Sequence, residues 1–499
     1  MNRNSRPFIL CINPWIYDFT AYDLWSKPLG LLYIAAYLES RGCRVKLLDC
    51  LDRWHPALLK RQNRTRPKLR RYGTGPYHRE VIPTPEPLNF IPRRYARYGL
   101  PEDIFLAELQ ASPRPDAILV TSFMTYWYPG VRRVVELCRQ HFPGVPIVLG
   151  GIYATLLPEH ARQVVQPDAL ITGPGEEKVA RLLADWLNYP ALLEDFPTRL
   201  DAFPYPAFHL YSGLDYLIVM TSRGCPFRCT FCATYKIDAN FTLRDPEAVV
   251  AEILQQSRRF RVRDVAFYDD ALLLQAEQRI KPILKQLIQA RRPLRLHTPN
   301  GLHGRYIDEE LARLMFRAGV KTIRISLESV AAERRRDIHN KITPGEFTRA
   351  VQNLTAAGYR ARDIETYIIM GLPHQSLEEV VETMLYANSM GVIIRLASFS
   401  PIPGTVDYQR AIESGYFPED ADPLLTNKTI IPLFRTMEAY QTFHLLGQFA
   451  QVLNEAAFRG ISFFKPAEFR RAVFAALERA RKWSEEASDK FAPRLLASS

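Results

Sequence analysis

Cys225, Cys229 and Cys232 stand as C-x3-C-x2-C in the stretch Arg223-Gly224-Cys225-Pro226-Phe227-Arg228-Cys229-Thr230-Phe231-Cys232. The stretch directly follows the apolar run Tyr216-Leu217-Ile218-Val219-Met220. Three thiolates on one short loop can hold three corners of an iron–sulfur cube and leave the fourth iron without a protein ligand. Clusters that only carry electrons usually have four Cys ligands, so an open iron points to chemistry on a bound molecule. Zinc, which thiolates also hold well, needs a fourth ligand and usually a second paired motif, and the sequence offers none. Structural disulfides fit poorly. With 7 cysteines in 499 residues and a short, polar start, the chain reads as reduced and intracellular. Cys11, Cys43, Cys50 and Cys138 fall on apolar patterns or at their ends and read as small core residues.

The three-Cys loop, with aromatic Phe231 just before its last Cys, resembles the radical S-adenosylmethionine (SAM) enzymes. The resemblance implies a [4Fe-4S] cluster whose open iron chelates the amino and carboxylate groups of SAM. Reduction then cleaves SAM to a 5′-deoxyadenosyl radical. It also implies SAM contacts at several strand ends. Asp269 and Asp270 would face the methionine amino group, a carboxylate being suited to an ammonium, although Asp also favours helix N-caps. Ser326 and Glu328 would accept from the ribose hydroxyls. Gly371 and Pro373, in Gly371-Leu372-Pro373, would form the turn beneath adenine. The loop Ser400-Pro401-Ile402-Pro403-Gly404-Thr405 would shape the pocket. His297, Asn300 and His303 are candidates for contact with substrate, against the commoner structural role of isolated histidines. No catalytic acid or base is assigned.

The elements that must position these groups follow from alternating strand and helix patterns. Phe8 to Ile12, Val45 to Leu48, Ala117 to Thr121, Pro146 to Leu149 and Ala169 to Ile171 read as buried strands, with helix patterns at Leu29 to Leu38 and Val131 to Cys138. Such alternation gives a Rossmann-like, doubly wound parallel sheet over residues 1–189, with ligands beyond the carboxyl ends of its strands. This region resembles the cobalamin-binding domain that precedes many radical SAM cores. The matching pieces are Asn13-Pro14, Pro28-Leu29-Gly30, Ser122, Gly150-Gly151 and Gly173-Pro174-Gly175-Glu176. By that resemblance Ser122 and Thr125 approach the dimethylbenzimidazole tail, and Gly150, Gly151, Gly173 and Gly175 line its slot. Many cobalamin domains carry D-x-H-x-x-G after the first strand, whose His ligates cobalt. Here that turn reads Asn13-Pro14-Trp15-Ile16-Tyr17-Asp18 and holds no His.

A long insert, near residues 53–115, interrupts the first domain and is rich in Arg, Lys, Pro and Tyr. Basic residues interleaved with tyrosines can grip RNA or a phosphorylated substrate. No nucleic-acid module is visible, so the insert reads as a loop over the active-site edge with its charges in solvent. Residues 190–213 read as a Pro-rich linker. Residues 214–406 carry six strand patterns, Leu217–Met220, Val265–Tyr268, Leu294–His297, Thr322–Ser326, Glu365–Met370 and Ile393–Ser398, as in the partial (β/α)6 barrel of radical SAM enzymes. Residues 407–499 read as mainly helical, with a clear pattern from Ala467 to Lys482.

A net charge of +12 suits an anionic partner without choosing one. No apolar run is long enough to span a bilayer, and a cytoplasmic enzyme is expected. The resemblance implies methyl transfer through cobalamin to an unactivated carbon or phosphorus centre of a small-molecule or lipid substrate. Electrons would come from a reductase, ferredoxin or flavodoxin. Two alternatives stay open. One is a radical rearrangement, cyclisation or sulfur insertion, on RNA for instance, without functional cobalamin. The other is a corrinoid or redox-sensing adaptor that is not an enzyme.

Overall fold

In the computed structural model, which describes residues 6–416, 418–430 and 437–460, the apolar run Phe8–Asn13 forms strand β1 with all six residues buried. Helix α1 (Leu29–Ser40) and strand β2 (Arg44–Asp49) follow. Next come α2 (Glu102–Gln110), β3 (Ala117–Val120), α3 (Tyr128–His141), β4 (Ile147–Leu149), β5 (Ala169–Leu170) and α4 (Glu176–Trp186). The five strands pair parallel in the order β5-β4-β3-β1-β2. Period-2 alternation explains why β1 is apolar throughout. Leu10 and Ile12 pack on one face with Ile104, Phe105 and Val134 of α2 and α3. Ile9 and Cys11 pack on the other with Leu31, Ala35 and Leu183 of α1 and α4. The strand order reverses between β1 and β3, the position beyond whose carboxyl ends such sheets bind ligands.

Cys11, Cys43, Cys50 and Cys138 are buried free thiols, as the pattern predicts. Burial pushes Cys43 and Cys138 up to about 12, which keeps them protonated and inert.

The insert is more structured than a loop. It contains the crossover helix α2 and strands that add small antiparallel sheets to the first unit. Ala96–Tyr98 pairs with both Ile16–Asp18 and Arg79–Val81, and Gly75–Pro76 pairs with Tyr22–Asp23. Short strands among Arg and Pro carry too little periodicity to be seen in sequence.

The chain divides into two compact units. The first is Met1–Val219 with Lys236–Ala239 and Glu247–Val265; the second is Met220–Tyr235, Asn240–Pro246 and Ala266–Ser499. A six-stranded sheet has the order β6 (Tyr216–Val219), β7 (Asp264–Phe267), β8 (Arg295–His297), β9 (Val320–Glu328), β10 (Ile364–Met370) and β11 (Ile393–Ser398). Neighbours β8 to β11 pair parallel. Connecting helices begin at side-chain caps that satisfy their first N–H groups. Asp308 accepts from Leu311, Ser376 accepts from Glu379, and Thr343 forms a capping box with Glu346. Beyond β11 the described residues include helices Val406–Glu413 and Met437–Phe458. The predicted helix Ala467 to Lys482 lies outside the described residues. Among the described residues no helix is long and apolar enough to cross a membrane.

Candidate active site

The cysteine loop turns sharply after Ser222-Arg223, with Gly224 at φ 77°, a left-handed conformation that favours glycine. Cys229 is buried, while Cys225 and Cys232 are partly exposed, and none is in a disulfide. Each end of the loop is held. Thr230 donates from its hydroxyl to Asp407 Oδ2 at 2.6 Å, and its N–H bonds the Asp337 carbonyl at 3.1 Å. Arg410 donates to both Asp407 and Asp337. Phe231 packs against the cluster of Ile369, Leu372 and Phe399 at the ends of β10 and β11. Burial pushes Cys225 up to about 11 and Cys229 up to about 12. A metal must therefore displace their protons.

Asp269 lies two residues beyond β7 and is almost wholly buried. Its carboxylate accepts from the Thr221 N–H, the Thr221 and Ser222 hydroxyls, and Arg279 Nη1 at 2.9 Å. Arg279, itself 1% exposed, also donates to Thr221, Ser222 and the carbonyls of Ala271, Leu272 and Leu274. Asp269 thus fixes the strand end that launches the cysteine loop, chiefly through Oδ1. Asp270 beside it is exposed at its surface but crowded by protein below. Lost hydration, then the Asp269 charge, pushes its carboxyl up to about 6, with Lys341 opposing. No sequence signal singled out Arg279; a lone Arg before a helix has no readable partner.

Ser326 and Glu328 sit at a register shift between β9 and β10, and Glu328 holds φ 61°. A non-glycine residue in that region is uncommon and marks strained, over-determined backbone. Burial raises the Glu328 pKa, and Lys341, whose Nζ lies 3.7 Å away, opposes the rise. Lys341 also opposes the upward shifts of Asp270, Cys225 and Cys229, so its charge acts on this whole acidic, thiol-rich region. It too escaped the sequence reading. Gly301 lets its loop approach Ser326: a Cβ there would fall 1.8 Å from the Ser326 hydroxyl. The turn Gly371-Leu372-Pro373 is closed by Gln375, whose Oε1 accepts from the Gly371 N–H at 2.8 Å.

The three candidates near β8 separate. His297 is completely buried beside Thr322. Asn300 donates to the carbonyls of Tyr268 and Asp269. His303 stacks on Phe227 of the cysteine loop, ring centroids 4.7 Å apart. Its Nδ1 is buried without a hydrogen-bond partner, and burial, with Lys341 and Arg305, lowers its pKa to about 2. It is a neutral imidazole.

In the first unit the predicted cobalamin residues gather at the carboxyl ends of β3, β4 and β5. The Ser122 hydroxyl donates to the Gly150 carbonyl at 2.6 Å. Gly151 has φ 96°, and a Cβ there would stand 2.3 Å from the Ser122 carbonyl oxygen. Thr155, missed in the sequence, donates to the Gly151 carbonyl and accepts from the Gly173 N–H. Gly175 caps α4. Thr125 is buried at the start of the short helix Thr125–Trp127. Phe123 and Met124 follow Ser122 and stand 38% and 40% exposed, an apolar shelf on this edge.

Residues 219–387 match the family described as Radical SAM superfamily, and residues 96–183 match the B12 binding domain. The chain carries a radical SAM domain and a B12-binding domain. The two matched domains are of the kinds named for SAM and for B12. The chain is 23% identical over 490 residues to the cytidylyl-2-hydroxyethylphosphonate methyltransferase of Streptomyces wedmorensis, covering 84% of each chain. It is 24% identical over 345 residues to an uncharacterized methyltransferase of Pyrococcus horikoshii, covering 63% of this chain and 74% of that one. Over 327 residues it is 24% identical to the anaerobic magnesium-protoporphyrin IX monomethyl ester cyclase of Rubrivivax gelatinosus, with 58% and 57% covered. The structure of the radical SAM methyltransferase TsrM from Kitasatospora setae, with cobalamin and [4Fe-4S] cluster bound, shares its fold. The TM-score is 0.58 at 16% identity, over 82% of this chain and 75% of TsrM.

The residues present fit these groups. Among the described residues no three His, Cys, Asp or Glu side chains converge as they would on a single metal ion. A cube's three thiolates must face one cluster, but they stand further apart than the ligands of a single ion. The loop supplies three free thiols, and the orphaned His303 Nδ1 stands beside it. For cobalamin the fit is an apolar shelf and a glycine-lined edge rather than an imidazole. Trp15, where the first-strand turn could have carried a ligand, is buried and donates to the Leu100 carbonyl.

Proposed function

We propose that this radical SAM enzyme transfers methyl groups to an unactivated carbon or phosphorus centre of a small-molecule or lipid substrate. When bound, the cluster, SAM and cobalamin supply reductive SAM cleavage and methyl transfer. The observation that carries the reading is the presence, in one chain, of a three-thiol loop and a glycine-lined edge that match two cofactor-binding families. Relatives named as methyltransferases support it.

The chain's own residues bind and orient. Cys225, Cys229 and Cys232 hold the cluster. Asp270 and Lys341 offer opposite charges for the ammonium and carboxylate of SAM, while Asp269 positions the loop through Arg279. Ser326 and Glu328 accept from ribose hydroxyls, and Gly371 and Pro373 shape the turn under adenine. Gly150, Gly151, Gly173 and Gly175 line the slot for cobalamin, with Ser122 and Thr125 keeping its wall in shape. We assign residues 1–189 to a Rossmann-like domain, 190–213 to a linker, 214–406 to a partial (β/α)6 barrel and 407–499 to a helical region. The enzyme works in the cytoplasm and draws electrons from a reductase, ferredoxin or flavodoxin.

A second reading, radical cyclisation without methyl transfer, is favoured by the cyclase relative and by the missing His in the first-strand turn. The deciding experiment is anaerobic cluster reconstitution, addition of hydroxocobalamin, desalting and a corrinoid absorption spectrum, followed by turnover with SAM and reductant. Stoichiometric corrinoid, with both 5′-deoxyadenosine and S-adenosylhomocysteine formed, is expected. A protein that forms 5′-deoxyadenosine but retains no corrinoid would replace methyl transfer with the second reading.

A further inference from the structure

The basic insert is not used by the chemistry above, and several of its cations are tied to neighbouring groups. Arg61 pairs with Asp103 and Arg97 with Glu80 and Glu102. Arg70 and Arg71 lie over the rings of Tyr22 and Tyr72. Arg79 donates to the Arg94 carbonyl. This arrangement is unlike the continuous basic stripe that tracks a nucleic-acid backbone.

Within the insert is a cavity of about 360 Å³ lined by Arg53, Arg64, Lys68, His78, Gln62 and Tyr77 among others, with no carboxylate in its wall. Arg53 forms a braced wall. It is buried, pairs with Asp23 at 2.8 Å and Asp215 at 3.4 Å, and donates to the carbonyls of Lys68 and Gly73. Those bonds neutralise Arg53 and fix the backbone that carries Lys68. Gly75 makes the brace possible, since a Cβ there would lie 2.3 Å from both Arg53 Nη1 and the Lys68 carbonyl oxygen. Arg64 follows Asn63, whose φ of 53° turns the chain out of the helix Pro56–Arg61. Neither Arg64 nor Lys68 has an ion pair among the described residues. Two cations without ion pairs, an amide and the His78 imidazole, whose Nε2 lies 3.5 Å from Glu80, thus surround one small, pre-formed space, and charge-assisted donors of this kind suit an oxyanion.

We propose that this cavity is a binding site for the phosphate or phosphonate group of a small molecule, held by Arg64 and Lys68 with Gln62 and His78 as further donors. The assignment is independent of the radical chemistry and is tested without reductant. The full chain is titrated calorimetrically with phenyl phosphate, methylphosphonate, vesicles containing phosphatidic acid, and a short single-stranded RNA, and the titrations are repeated with Arg64→Gln and Lys68→Gln. Saturable, one-site binding of the small phosphate or phosphonate is expected. Each substitution should weaken it about tenfold, the effect of losing one charge-assisted contact, with an unchanged melting temperature because both side chains are exposed. Absence of saturable binding, or equal affinity in both variants, overturns the proposal. Binding of RNA or vesicles alone overturns it too, in favour of a macromolecular surface.

Discussion

The cysteine loop and the glycine edge both lie beyond the carboxyl ends of parallel strands, yet they are built by opposite means. The loop works by adding donors: three thiols, with carboxylates and Lys341 near them. The edge works by leaving side chains out, so that backbone turns can close on one another around Ser122 and Thr155. A donor set is defined by residue type and can be replaced only by similar donors. A glycine turn is defined by conformation, and the smallest added group can break it. The difference teaches that the two sites should fail independently.

Cys229→Ala should have the largest effect. Iron content should fall and 5′-deoxyadenosine formation should drop to background, while corrinoid retention stays at the parental level. If corrinoid is lost as well, the two sites are not separable. Arg279→Met should come next. Removing one partner of a buried ion pair costs about 3–5 kcal/mol, and here it also frees the Thr221 and Ser222 hydroxyls. Chemical denaturation should register the loss, and reconstituted protein should hold less iron although all three cysteines remain. Normal iron at reduced stability would show that the loop is set without its arginine. Gly151→Ala should have the smallest global effect, about 2 kcal/mol from a strained φ and a backbone clash. Corrinoid retention should fall sharply with iron content unchanged, which is the mirror image of the cysteine variant.

Much of this was legible in the sequence, for reasons that differ between elements. The strands of both sheets could be read because continuous apolar runs ending in Gly, Asn or Asp have few other interpretations. The thiols could be read because C-x3-C-x2-C is rare and chemically specific. Asp269 was visible but its work was not, because a carboxylate at a strand end looks the same whether it meets a ligand or, as here, Arg279 ten residues later. Lys341 was obscure because its importance comes only from what faces it, and His303 was visible as a candidate while its stacking on Phe227 was not. The insert was read as a loop because its strands of two or three residues carry no period, and the tertiary bonds of Arg53 that organise it span up to 162 residues.

The clamp on Thr230 has a consequence for how the protein is made. Its hydroxyl is held by Asp407, 177 residues further along the chain. On the ribosome the cysteines emerge long before Asp337, Arg410 or Asp407 exist to shape their loop. Iron delivered during translation would meet the loop without its clamp; the fully braced acceptor exists only once synthesis has passed residue 410.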